Sequence, residues 1–336
     1  MNKVKWGILS TANIAQTQLI PAIKRAENAE VIAIASRGPK VHAIADNLGI
    51  ERAYESYEEL LNDQEVEVIY IPLPNDLHKE WVIKAAKAGK HILCEKPAAL
   101  NEADLEEMIT VCNEENVQFM EAFMYQFHPQ HMRVKEIIDS GEIGEVKLFK
   151  SSHSFYLTDR KADIRMNAEK GGGAIWDVGC YSVHAMQLIL GNEVKSLSFK
   201  RIADSKNTVD ISAFGIVELE NGIHGMIDCS FDMTERNEYE IVGTKGTVKV
   251  KNAFRPDRLS GNGQITINTL TTERIEQTGG DIYKQEVECF SDAVRTNGAL
   301  TVQHNYSRKN VGILHAIQQS VATNQQIVLA DYVCND

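Results

Sequence analysis

Cysteine is scarce in this chain and never arranged in pairs. Its six cysteines, at positions 94, 112, 180, 229, 289 and 334, form no CxxC pair and no spacing that suits a metal. That pattern argues for reduced thiols in a cytoplasmic protein, and against both a disulfide framework and a zinc-dependent dehydrogenase. Positive charge is also short: 35 Lys and Arg stand against 47 Asp and Glu, a formal net charge of −12. The balance disfavours nucleic acid or an anionic membrane as partner, while leaving room for a local basic pocket around a small phosphate. No apolar run approaches membrane-spanning length, and MNKVKWGIL enters a first strand without the apolar stretch or cleavage site of a signal peptide. Internal repeats and low-complexity linkers are missing too. What remains is ordinary globular composition, 43% hydrophobic and 24% charged, over 336 residues. That length exceeds one usual domain, and we expect two, at 1–122 and 123–336.

The first 121 residues have a regular order. Val4–Leu9 reads as a strand, after which Ile14, Ala15, Leu19 and Ile23 recur at helical spacing. Glu30–Ser36 is a near-continuous apolar strand, followed by a helix from about Pro39 to Leu48. Ser56-Tyr57-Glu58-Glu59 is a capping box opening a short helix. Strands at Val66–Ile71, His91–Cys94 and Val117–Glu121 alternate with helices at Leu77–Ala88 and Asn101–Glu115. This alternation predicts an α/β Rossmann domain, a doubly wound parallel sheet with helices on both faces.

The second half reads differently. After a helix near Pro129–Ser140, strands are expected at Glu145–Tyr156, Val194–Lys200, Ile211–Glu218, Gly222–Cys229, Glu238–Val242, Thr247–Lys251 and Ile265–Leu270. Hairpin turns such as Glu220-Asn221-Gly222 separate several of them. Helices at about Tyr283–Thr296 and Asn305–Thr323 close the chain. The expectation is an α+β domain with a large, mainly antiparallel open sheet. Ile211–Val217 puts apolar side chains on both faces, more than a solvated sheet should expose, so a homodimer through this sheet is expected.

Several stretches carry candidate chemistry. The opening turn, WGILSTANIA, has Ser10, Ala12 and Ala15 where a dinucleotide fingerprint would place glycines. Small residues still let backbone N–H groups and a helix N-terminus approach a pyrophosphate, so the turn is either a phosphate cradle or a bare strand–helix corner. The second strand ends Ser36-Arg37, with Lys40 behind and no acid before Asp46, which in a nucleotide site favours NADP over NAD. Pro72, Leu73, Pro74 and Asn75 form an extended turn before a helix whose first turn holds His78. That segment is either a ligand edge or a capped helix with a surface histidine. Lys96, beside Glu95 and before Pro97, emerges at the same sheet edge, where a lysine can hold a substrate oxygen, lower a neighbour's pKa, or simply be solvated. In the second half, Gly171-Gly172-Gly173 permits close backbone approach to a ligand. Asp177, Tyr181 and His184 then recur at i, i+4 and i+7 on one helix face. Three polar groups on an apolar helix are costly to bury without a purpose. A satisfied structural cluster is the other reading.

Three stretches taken together resemble the Gfo/Idh/MocA oxidoreductases over essentially the whole chain. They are Glu95-Lys96-Pro97, GGGAIWDVGCY from Gly171 to Tyr181, and MEAFMYQFHPQ from Met120 to Gln130. The resemblance is to the branch containing dimeric dihydrodiol dehydrogenase, NADP-dependent D-xylose dehydrogenase and glucose–fructose oxidoreductase. It implies NADP binding by Ser10, Thr11, Ala12, Asn13 and Ile14, by Ser36 and Arg37, by Pro72, Leu73, Asn75 and His78, and by Glu95 and Lys96. It implies catalysis by Lys96, Tyr181 and Asp177, with Asp177 orienting substrate and Tyr181 in the acid/base place. Candidate substrate contacts are Phe123, Tyr125, Phe155, Arg165 and His184, and no metal is implied. Gln126 stands where relatives often carry arginine. The implied reaction is hydride transfer between nicotinamide and a carbinol carbon of a sugar, polyol or trans-dihydrodiol. A tyrosine of ordinary pKa, about 10, is a poor base, and the Lys96 ammonium would lower it. The alternative is a non-catalytic NAD(P)-binding regulator or sensor of the same fold. Such a protein would be free to lose Lys96 or Tyr181, and this chain keeps both.

Overall fold

A computed structural model describes residues 2–161, 163–191, 193–206, 208–298 and 300–329. The chain forms two units, residues 1–124 with 283–308, and residues 125–282 with 309–336. The first unit is built on six parallel strands: β1 (Val4–Leu9), β2 (Ala29–Ala35), β3 (Arg52–Tyr54), β4 (Val68–Ile71), β5 (His91–Glu95) and β6 (Phe119–Ala122). Their order is β3-β2-β1-β4-β5-β6, so the order reverses between β1 and β4, the switch point of a Rossmann sheet. Every residue of β4 and β6 is buried, because helices cover both faces.

Local chemistry sets the helix ends. Ser56 Oγ accepts the Glu59 N–H at 3.2 Å, while the Glu59 carboxylate reaches back to the Glu55 N–H at 3.2 Å. Asn101 Oδ1 accepts the Asp104 N–H at 2.9 Å and starts the helix Glu102–Glu114. Strand β3 has no counterpart in the sequence reading. It is three residues long and half-buried, too short for a periodic signal, and Asp63 anchors both its ends. Asp63 takes Arg52 at 3.0 Å and the Tyr54 hydroxyl at 2.9 Å. Late in the chain, the segment 283–308 returns to this unit. Its Ser291 accepts the Trp6 indole N–H at 3.1 Å, and Phe290 meets the Trp6 ring edge-on at 5.8 Å.

The second unit carries a nine-stranded sheet: β7 (Val146–Tyr156), β8 (Val194–Ala203), β9 (Asp210–Leu219), β10 (His224–Ser230), β11 (Asp232–Gly243), β12 (Gly246–Lys251), β13 (Asn262–Thr269), β14 (Glu273–Gly279) and β15 (Ile327–Val328). The order is β14-β13-β12-β11-β7-β10-β9-β8-β15. The β7–β10 pair is parallel and the other pairings are antiparallel, giving the mainly antiparallel open sheet expected. Strands β14 and β15 lie at its two edges and were not legible in the sequence. ERIEQTG of β14 offers one large apolar residue, Ile275, which is itself exposed.

One helical segment departs from the regular winding that its sequence suggests. Ile175–Gly179 forms a π-helical turn, closed by the Cys180 N–H on Ile175 O, before the α-helix Cys180–Leu190. A second π turn, Ala15–Leu19, opens the first helix of the other unit. Such turns insert one residue into the helical repeat and often lie at functional sites.

Candidate active site

In the first unit, the cofactor candidates lie at the carboxyl ends of β1, β2, β4 and β5, one edge of the parallel sheet. Ser10, directly after β1, has φ +152°, a region that favours glycine and accounts for the glycine a fingerprint would place there. Its Oγ accepts the Ala12 N–H at 3.0 Å, so the serine partly compensates for its own strain. Gln16 Nε2 donates to Thr11 O at 2.7 Å, and Thr11 Oγ1 lies 3.4 Å from Ser36 Oγ, joining the ends of β1 and β2. Ser36 is buried, whereas Asn13, Arg37 and Lys40 are exposed; Thr11, Ala12 and Ile14 are half-buried.

The turn after β4 is more enclosed than the sequence implies. Pro72 and Leu73 are buried, Asn75 is half-buried, and His78 is 0% exposed. His78 is therefore no surface histidine. Its Nδ1 lies 2.9 Å from Pro97 O and its Nε2 2.8 Å from Leu73 O, and burial holds its pKa below the ordinary value. The ring thus ties the Leu73 turn to the turn that carries Lys96. Glu95 and Lys96 are half-buried at the end of β5, and Phe123, just past β6, is buried.

In the second unit, the glycine run turns out to pack against the chain itself. The N–H groups of Gly172 and Gly173 donate to Asn167 O and Arg165 O, at 2.9 Å each. A Cβ on Gly172 would lie 2.5 Å from Arg165 O and 2.7 Å from Asn167 O. Only glycine permits that approach, and its product is the placement of Arg165. The Arg165 Nε donates to Asp177 Oδ2 at 2.7 Å, with Asp163 on the other side of the guanidinium and the Phe155 ring 5.8 Å away. The charge of Asp177, ahead of any other cause, holds the Arg165 pKa above its ordinary value. Asp210, buried at the start of β9, accepts the Ile175 N–H at 2.7 Å and so caps the π turn. Burial raises its carboxyl to about 6.

Tyr181 and His184 share one face of the α-helix, but Asp177 precedes them on the π turn, where the i, i+4 spacing of an α-helix does not apply. Tyr181, 6% exposed, lies in an aromatic cluster, 5.1 Å from His153, 5.5 Å from Phe254 and 5.8 Å from Tyr125. His184, 3% exposed, shares a 2.6 Å hydrogen bond with the hydroxyl of Tyr125, which is 0% exposed. Desolvation pushes His184 down to about 3, so it is neutral at physiological pH. His131 is likewise pushed to about 3, held between the Tyr239 hydroxyl at 2.8 Å and Ala253 O at 3.1 Å. Sequence reasoning did not find His131, His153, Asp210, Tyr239 or Phe254, which come from separate elements. An isolated acid heading the apolar run of β9 was the one available signal, at Asp210.

Comparison with known proteins bears on the family and the fold. Residues 4–123 match the family model for the oxidoreductase family with an NAD-binding Rossmann fold, and residues 131–249 the GFO/IDH/MocA C-terminal domain. The chain is 37% identical over 329 residues to D-xylose 1-dehydrogenase (NADP(+)) 2 of Haloferax volcanii, covering 96% of this chain and 99% of the relative. It is 31% identical to the mouse (Mus musculus) trans-1,2-dihydrobenzene-1,2-diol dehydrogenase over 266 residues, 78% of each chain. Among solved structures, KijD10, a 3-ketoreductase from Actinomadura kijaniata in complex with NADP and TDP-benzene, superposes with a TM-score of 0.91 at 27% identity. That match covers 95% of this chain and 98% of the other. With both domain models matched in order and relatives of this identity along nearly its full length, the chain belongs to the Gfo/Idh/MocA family of oxidoreductases.

Proposed function

We propose that this protein is an NADP-dependent oxidoreductase that interconverts a hydroxyl and a carbonyl on a sugar, polyol or trans-dihydrodiol. The observation that carries this reading is the carboxyl edge of the first sheet, where the 10–14 turn, Ser36-Arg37 and Lys96 follow β1, β2 and β5 around the switch point. The glycine-like backbone at Ser10 and the small residues after it fit a pyrophosphate against the helix start. Arg37 and Lys40, both exposed after β2, fit a 2′-phosphate through charge-assisted bonds, and Ser36–Lys40 contains no acid to select NAD. The bound nicotinamide supplies or accepts the hydride.

The chain's own groups do the rest. Lys96 presents its ammonium to the substrate oxygen. Tyr181 takes the hydroxyl proton during oxidation and returns it during reduction. Asp177, oriented and charge-compensated by Arg165, accepts a bond from a second substrate hydroxyl. The Phe155 ring lies against the Arg165 guanidinium that holds that carboxylate, while Tyr125, bonded to His184, packs beside Tyr181. Steady-state assays over aldoses, polyols and cyclic diols, with NADP and NAD, test this reading through the reduced-nicotinamide absorbance. Turnover with none of them would favour a cofactor-binding regulator instead.

We also infer a homodimer formed through the outer face of the second sheet. Ile202, Phe214, Ile216 and Met226 stand exposed on neighbouring strands β8, β9 and β10, with Met226 directly opposite Ile216. Ala213 and Val217, on the opposite face of β9, are fully buried. An apolar patch of that kind marks an association surface. Light scattering at micromolar concentration should return twice the chain mass, and a monomer would contradict the inference. The thiols of Cys94, Cys112, Cys229 and Cys289, none of them in a disulfide, fit a cytoplasmic location, testable by fractionation. Among the described residues, no helix is long and apolar enough to cross a membrane.

A further inference from the structure

The glycine run of the second unit leans on an acid that the proposed chemistry does not use. Asp210 opens β9 and is 2% exposed. Its Oδ2 accepts the Ile175 N–H at 2.7 Å, the length of a charge-assisted bond. Its Oδ1 fills the space that a side chain on residue 173 would need, since a Cβ on Gly173 would lie 2.4 Å from it. Gly173 also holds φ +114°, so the position admits only glycine on both counts. One carboxylate therefore grips the run at two points, two residues apart.

A short closed circuit of bonds joins those points to Asp177. The Gly173 N–H donates to Arg165 O at 2.9 Å, and the Asp177 N–H donates to Gly173 O at 3.1 Å. The Arg165 Nε closes the circuit on Asp177 Oδ2 at 2.7 Å. Gly173 belongs to both parts, because its Cα faces Asp210 while its N–H and C=O hold the two members of the Arg165–Asp177 pair. A shift of Gly173 carries Asp177 with it. The grip is itself ordered from three other elements. Gln318, on the helix Thr301–Thr323, donates to the Asp210 carboxylate, Arg201 faces it from β8, and the Cys229 thiol faces it from β10.

We propose that Asp210 is a positioning residue for Asp177: by holding Gly173 and the Ile175 N–H against β9, it sets where the Asp177 carboxylate meets a substrate hydroxyl. The proposal rests on Asp177 as the substrate anchor, as argued above. Only the ionised carboxylate makes a charge-assisted bond to Ile175, and the protonated acid keeps a weaker, neutral one. Burial raises this carboxyl to about 6, so the hold on substrate should loosen as pH falls through that value. An asparagine at 210 should behave as the protonated acid at every pH.

The Ile175 amide reports the bond without any turnover. In proton–nitrogen correlation spectra of the cofactor-free protein, its proton should move upfield as pH falls, with a midpoint of about 6. In Asp210→Asn it should not titrate. Kinetics then use NADP with the aldose, polyol or cyclic diol that turns over fastest. At pH 8, Asp210→Asn should raise KM by up to about tenfold, the difference between a charge-assisted and a neutral bond, and change kcat less. It should also lose the rise in KM that the wild type shows from pH 7 to pH 5. Asp210→Ala leaves the Ile175 N–H unpaired and should cut kcat/KM by about 10²-fold. NADP affinity should stay within about twofold, the spread of a neutral substitution. Ser212→Ala removes the 2.7 Å bond between Ser212 and Ser230 further along β9, controls for general weakening, and should leave KM unchanged. Should Asp210→Ala fail to fold, the asparagine variant and the wild-type titration decide the matter. A wild-type Ile175 amide that does not titrate between pH 7 and pH 5, or a KM profile unaltered in Asp210→Asn, would overturn the proposal. Undiminished substrate affinity in Asp177→Ala would instead overturn the reading of Asp177 as the anchor, and the Ile175 titration separates the two failures.

Discussion

Replacing Gly172 by alanine asks whether the glycine run serves a ligand or the chain itself. The new Cβ would lie 2.5 Å from Arg165 O and 2.7 Å from Asn167 O, both backbone atoms. Even a favourable carbon–oxygen contact needs about 3.3 Å. The turn cannot withdraw freely, because those two carbonyls accept the N–H groups of Gly173 and Gly172 at 2.9 Å. Overpacking of this kind costs about 1–3 kcal/mol, and each hydrogen bond lost adds about 1 kcal/mol. At roughly 2–4 °C per kcal/mol for a unit of this size, the melting temperature should fall by about 5–15 °C. Arg165 moves with the turn and loses its 2.7 Å hold on Asp177, so kcat/KM should fall by up to about 10²-fold, as for a small misplacement of a positioning group. NADP affinity should not follow, because the turn belongs to the second unit. Calorimetry, steady-state kinetics and cofactor titration measure the three quantities. A melting temperature within about 1 °C of wild type, with kcat/KM retained, would refute the packing argument.

Lys96→Met should cut turnover by roughly 10²–10⁴ while cofactor affinity changes far less, as a binding titration beside the kinetics will show. Arg37→Asp should weaken NADP binding and narrow or reverse the NADP/NAD ratio; an unchanged ratio would place the 2′-phosphate elsewhere. Tyr181→Phe should nearly abolish turnover with NADP binding intact, whereas His184→Asn should keep most of the activity, since His184 is neutral and bonded to Tyr125. The opposite pattern would make His184 the proton-transfer group. Because His131 and His184 are held at about 3 in the fold but titrate near 6.5 when unfolded, the unfolded chain binds more protons between those values. Stability must therefore fall as pH drops through that window, by up to about 2 kcal/mol per histidine at pH 5. Melting curves from pH 7 to pH 5 should show the decline, and His184→Asn should make it shallower.

The sequence by itself determined the fold class and most elements, because apolar periodicity and end signals are local. β1 runs from Val4 to Leu9 as its apolar run suggests, and Ser56 and Asn101 cap the helices that they announce. Motifs also pointed to the edge of the first sheet, because parallel strands oblige every βα turn to emerge on one side. Tertiary structure alone decided what those residues face. The chain contacts of Gly172 depend on a turn several residues away, and the burial of His78 depends on Pro97 at the end of another strand. Strands β14 and β15 escaped because they are edge strands, with little apolar pattern or few residues. The π winding at Ile175–Gly179 escaped because its capping acid, Asp210, lies 35 residues further on. The bond from the Trp6 indole to Ser291 is the extreme case. Their 285-residue separation leaves no periodic trace, and only the return of segment 283–308 to the first unit brings the two side chains together.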